Sequence, residues 1–259
     1  MNQTPCVRSE VKIGKYWSDK YEKSLYGIAV IGLFVFQVFA GKSGRAVADL
    51  FSYKNFDYYN IYAWVSVHHM IQMLIALAII VVLSKLLKVD FGFKLGDTKK
   101  GMKYLMVYTV IFAVFTLVCH ILMYIYNMLP MYDFPLNKNN VLGTLGFQLF
   151  LSGSSEEIVF RAIPITILIY VFGKSIYLKQ GITLETIIAS FLFSIAHIKW
   201  SLSPFTIDVN YFQVFYAFIL GTIQGVVYQR THSILYPALM HSISNVLMVG
   251  AGYLCTILF

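Results

Sequence analysis

Charge is what this sequence has least of. Only 12% of its 259 residues are Asp, Glu, Lys or Arg, while 58% are hydrophobic; an average soluble domain is about 25% charged and about 45–50% apolar. That deficit excludes an ordinary water-facing exterior and points to a surface in contact with lipid. Cysteine is also scarce. Cys6, Cys119 and Cys255 are odd in number and far apart, which excludes a CxxC metal pair and a disulfide framework. Cys255 stands fifth from the end, one place too early for a C-terminal prenylation box. The net charge is +8, yet no basic patch interleaved with aromatic residues exists, so nucleic acid is excluded as a partner. No internal repeat or low-complexity segment is present either.

What the chain has instead is seven apolar stretches: 25–40, 62–83, 104–128, 141–172, 182–198, 209–228 and 234–259. A membrane span needs about 20 such residues. Backbone groups in lipid must be paired within the segment, so long, non-alternating runs form helices. The expected fold is therefore all-α, a multi-pass transmembrane bundle of about seven helices (six to eight). Residues 1–24 form a polar cytoplasmic N-terminus and 25–259 a membrane domain. Lysine and arginine cluster before residue 25, at 85–103, at Lys174 and Lys179 and at Arg230, all on one side of a seven-span chain. The opposite side holds only Lys42, Arg45, Lys54, Lys138 and Lys199. That bias places the N-terminus inside. Splitting the long fourth run into two spans would reverse the parity.

The fourth run carries Glu156, Glu157 and Arg161. Each charge at the bilayer centre costs about 2.5–3.5 kcal/mol on insertion scales, so the three must face protein or a wet cavity. Glu157 and Arg161 are four residues apart, on one helical face in the favourable acid-first order, and compensate each other. Glu156, about 100° around the helix, is left as a spare carboxylate. The fifth run places Phe193 and His197 four apart, and the seventh does the same with His241 and Asn245. Turned inward, a carboxylate, two imidazoles and a carboxamide could run acid–base chemistry on water and hold an oxyanion.

These residues carry a resemblance. Glu156-Glu157-x-x-x-Arg161, Phe193-x-x-x-His197 and His241-x-x-x-Asn245, in this order on successive apolar helices, resemble the three motifs of the CPBP/Abi family of intramembrane proteases. That family includes the CAAX prenyl endopeptidases and bacterial relatives tied to bacteriocin immunity and peptide processing. The segment from Gly221 to Gly225 and on through Tyr228 is also similar to the run before the third motif, and the resemblance spans 142–250. Ser201 departs from the prenyl-protease branch, which often has Asn there.

The resemblance implies an intramembrane endopeptidase that hydrolyses a peptide bond of a membrane-associated peptide or lipidated protein in a prokaryotic cell membrane. Glu156 would activate water with the help of His197, and His241 and Asn245 would stabilise the oxyanion. Glu157, Arg161 and Phe193 would support the site. No cofactor is favoured; a divalent metal such as zinc, if used, would take Glu156, His197 and His241. Two other functions remain open: a non-catalytic immunity or scaffold protein binding a peptide in the same cavity, and a proton-coupled transporter. His68, His69 and His120, in the second and third runs, read as structural or pore-facing. Gly221 and Gly225 read as a small-residue face for close helix approach, and Pro164 and Pro237 as sites where a helix bends or tolerates a missing hydrogen bond.

Overall fold

The computed structural model describes residues 19–179, 181–202 and 204–259; most of the polar N-terminus expected at 1–24 lies outside them. Seven helices run through these residues: α1 (Asp19–Ala48), α2 (Ala63–Leu87), α3 (Thr98–Ile125), α4 (138–172), α5 (Leu184–Ala196), α6 (Tyr211–Thr231) and α7 (Leu235–Leu258). Five of them, α1 from Ser24 onward, α2, α3, α6 and α7, are long and apolar enough to cross a membrane. Their outward faces are strongly apolar: Ile28, Ile31, Val110, Ile111 and Leu117 are all exposed. Such a surface suits lipid rather than water. The fold is the expected all-α membrane bundle.

Two expectations need correction. The fifth run, read as a span over 182–198, is a helix of only 13 residues. At 1.5 Å per residue it reaches about 20 Å, short of a hydrocarbon core of about 30 Å. Thr183 stops it at one end by accepting from the Thr186 amide, and His197 caps the other. Small antiparallel hairpins flank it, β1 (Tyr177–Lys179) with β2 (Ile182–Thr183) and β3 (Lys199–Leu202) with β4 (Phe205–Asp208). The expected run took in Ile182 and Thr183 of β2 at one end and His197 and Ile198 at the other, none of which continues the helix. The first helix is also longer than its apolar stretch, so Lys42 and Arg45 lie in its last two turns rather than in a loop.

The fourth run is one helix with two interruptions. Between its α-helical parts lie π-helical turns at Gln148–Ser152 and Ile158–Ala162, bracketing the short segment Gly153–Glu157. Each turn widens the helix and re-aims the side chains beyond it; such bulges recur at functional sites. Pro164 follows the second and withholds the amide that the Phe160 carbonyl would otherwise accept. Pro237, by contrast, sits in the first turn of α7, where no intrahelical donor is missed.

Both ends of the bundle are pinned. At one end Asp57, fully buried, accepts from the amides of Ile61, Tyr62 and Ala63 at 3.0, 2.9 and 2.7 Å and starts α2. At the other end the 88–97 connection is tied to the α6–α7 connection through Ile234 N–Gly92 O (3.0 Å) and Asp97 N–Thr231 O (2.8 Å). There Gly96 has φ +57°, and any Cβ would collide with the Thr231 carbonyl. Midway, α4 crosses α7 at Gly153. A Cβ there would stand 2.5 Å from Ser242 Oγ and 2.7 Å from its amide nitrogen.

Two outcomes follow for the fold, both read by thermal unfolding in detergent. Asp57→Ala strands three amides at the start of α2 and lowers stability by about 2 kcal/mol; an unchanged midpoint would contradict the capping role. Gly153→Ala forces α4 and α7 apart and costs about 1–3 kcal/mol. Wild-type stability in that variant would mean that the two backbones are not in contact.

Candidate active site

The buried ion pair organises everything near it. Arg161 and Glu157 are both fully buried, with Nη1 3.2 Å from Glu157 Oε1. On its other side the guanidinium donates through Nη2 to Gln224 Oε1 at 2.9 Å, and its carbon lies 3.9 Å from the centre of the Phe193 ring. Gly221 makes room for this cation: a Cβ there would stand 3.1 Å from Arg161 Nη2. Gly225, one turn on, lets α6 approach Thr186 and Ile165. The Gly221/Gly225 face thus does what its spacing suggests, with a buried arginine as one of the things it accommodates.

Glu157 Oε1 also accepts from His241 Nδ1 at 2.7 Å. His241 therefore stands between the two glutamates, because its Nε2 lies 3.5 Å from Glu156 Oε2. Glu156 keeps 18% of its side chain exposed and lines a cavity of about 650 Å³ together with His69, Phe193 and His197. A third imidazole approaches from α2, with His69 Nε2 3.9 Å from Glu156 Oε1.

The hydrogen bonds on the far sides of these rings fix their tautomers. Ser155 Oγ donates to the Ser152 carbonyl (3.1 Å), so it accepts from His69 Nδ1–H at 2.8 Å. His197 Nδ1–H donates to the Phe193 carbonyl at 2.9 Å. His241 Nδ1–H donates to the Glu157 carboxylate. In its neutral form each ring is thereby left with a bare Nε2. In His69 and His241 that lone pair faces the Glu156 carboxylate. Around Glu156 the protein thus offers acceptors, which calls for a ligand that brings its own protons; water does.

Glu156, His197 and His241 are thus brought to one cavity region or into direct proximity. Asn245 is placed differently. One turn beyond His241, it donates through Nδ2 to Ser152 Oγ at 3.0 Å, tying α7 to the first π turn and leaving its second N–H for another acceptor. Ser201 lies in β3 and lines the same cavity. Sequence reasoning treated His69 as one of several uncommitted histidines. The available signal was an adjacent histidine pair in an otherwise uncharged span, but nothing in its spacing tied it to Glu156. His120 stays apart, with Nδ1 2.9 Å from the Thr116 carbonyl. Among the described residues no three His, Cys, Asp or Glu side chains are grouped so as to hold a metal ion.

Removing the central cation tests the arrangement. Arg161→Met leaves Glu157 buried without its counter-ion and destabilises the bundle by about 3–5 kcal/mol. Adding Glu157→Gln restores much of that loss in thermal unfolding. A double variant no more stable than the single one would contradict the pairing.

No curated protein and no solved structure matches the chain. Residues 138–247, from the start of α4 to the middle of α7, match the family model described as type II CAAX prenyl endopeptidase Rce1-like. The helices that carry Glu156, His197, His241 and Asn245 are therefore similar to the Rce1-like CAAX prenyl endopeptidase family over these residues.

Proposed function

We propose that this protein is an intramembrane endopeptidase that hydrolyses a peptide bond with a water molecule activated by Glu156. The observation that carries the reading is the acceptor-lined niche around that carboxylate, with His241 Nε2 at 3.5 Å and His69 Nε2 at 3.9 Å. A water seated there donates a proton to Glu156 while a lone pair attacks the substrate carbonyl carbon. The new C–O bond leaves a tetrahedral oxyanion. The second N–H of Asn245 supplies a donor for it, and His241 adds one when its Nε2 carries a proton taken from cavity water. The C–N bond then breaks, and Glu156 returns its proton to the leaving nitrogen. The products are an amine and a carboxylic acid, which releases its proton to the cavity water, and the Glu156 carboxylate is regenerated. His197 assists proton movement from the cavity wall, and Glu157 with Arg161 keeps His241 oriented.

The substrate class is a peptide or lipidated protein presented from the bilayer, since the niche lies among helices whose outer faces suit lipid. The Rce1-like match makes a prenylated CAAX peptide the first to try. Purified wild-type protein should cleave an internally quenched, farnesylated CAAX peptide in detergent. Glu156→Gln should reduce kcat at least 1,000-fold, on the order of the loss expected for an essential base, with the thermal midpoint unchanged. A correctly folded Glu156→Gln variant that retains activity would overturn the assigned role.

A further inference from the structure

The cavity that holds Glu156 has a wall outside the Rce1-like match. It is formed by α1 and α2, and it contains an anomaly. Gln37, in the middle of α1, is only 5% exposed and lines the cavity. Among the described residues neither its Nε2 nor its Oε1 has a hydrogen-bond partner. His68 Nδ1, on the facing α2, is likewise buried and unpartnered among the described residues, and lines the same cavity. Leaving a buried amide unsatisfied is costly. A leucine or methionine would fill the position in an apolar helix without that cost, so the carboxamide needs a reason to be there.

Its chemistry restricts the reason. A carboxamide carries a donor and an acceptor side by side, the complement of the N–H and C=O of a single residue, which point to the same side in extended backbone. A helical substrate has nothing to offer it, because its main-chain groups are already paired within the helix. Only an unwound segment exposes both. From this geometry, and resting on the hydrolase reading above, we infer that Gln37 is a substrate-positioning residue. It pairs with the main-chain N–H and C=O of one residue next to the scissile bond and holds an unwound peptide across the cavity from Glu156. The first two helices then contribute to substrate binding as well as enclosing the catalytic motifs.

The test uses the full chain in detergent with the farnesylated, internally quenched CAAX peptide as probe. Gln37→Leu should raise KM about tenfold, the equivalent of one hydrogen bond of about 1.4 kcal/mol, with kcat within twofold and no loss of thermal stability. Replacing the amides flanking the scissile bond by esters, one at a time, should weaken binding to the wild type at one position. The same ester should cost Gln37→Leu nothing. An unchanged KM, an ester penalty that persists in the variant, or a variant that merely melts earlier would each overturn the inference while leaving hydrolysis by Glu156 intact. A wild-type chain that neither binds nor cleaves the probe, with Glu156→Gln indistinguishable from it, would overturn the hydrolase reading and this inference with it.

Discussion

The structure depends on a buried glutamate that is shared. Glu157 Oε1 receives both the Arg161 guanidinium and the His241 imidazole, and none of the three has much access to solvent. Buried ions are costly unless paired and hydrogen-bonded, so the pairing fixes where α4, α6 and α7 can sit. Arg161 reaches α6 through Gln224 and α5 through the Phe193 ring. His241 is held in one orientation, and its free nitrogen is aimed at Glu156. The ion pair holds the site in shape while leaving the Glu156 carboxylate outside the pair.

The two adjacent glutamates consequently have opposite surroundings. Glu157 is sealed among a cation and an imidazole donor, whereas Glu156, the next residue, borders a cavity of about 650 Å³. The π turns on either side of Gly153–Glu157 help set this division. They interrupt the regular ladder at the point where backbone contact with α7 brings His241 near. On the near side of Glu156, α2 delivers His69, whose ring is set by Ser155 on α4 itself.

Much of this was legible in the sequence, for identifiable reasons. Membrane charge is so costly that Glu156, Glu157 and Arg161 had to be internal, and the four-residue spacing named the pair that compensates. The motif spacing on the later helices pointed His197 and His241 towards the spare carboxylate, and the structure places His197 in the wall of the cavity that Glu156 lines and His241 beside Glu156 itself. The contribution of α2 was not legible. Whether His69 meets Glu156 depends on the rotation of one lipid-facing helix against another, and α2, apolar on nearly every side, gives no periodic signal for it. Nor could the π turns be read, since such turns are rare and leave no mark in the helical spacing. The shortness of α5 escaped for a simpler reason: the run 182–198 counted Ile182, Thr183, His197 and Ile198, which lie beyond the ends of the helix.

The central claim is that Glu156 acts on water and does not itself attack the substrate. Single-turnover hydrolysis in H₂¹⁸O, read by mass spectrometry of both the released peptide and the fragment containing Glu156, tests it most directly. The account predicts one ¹⁸O in the new peptide carboxylate on the first turnover and none in Glu156. A first product carrying only ¹⁶O, with ¹⁸O appearing in the Glu156 side chain, would show a covalent acyl-enzyme and contradict the account.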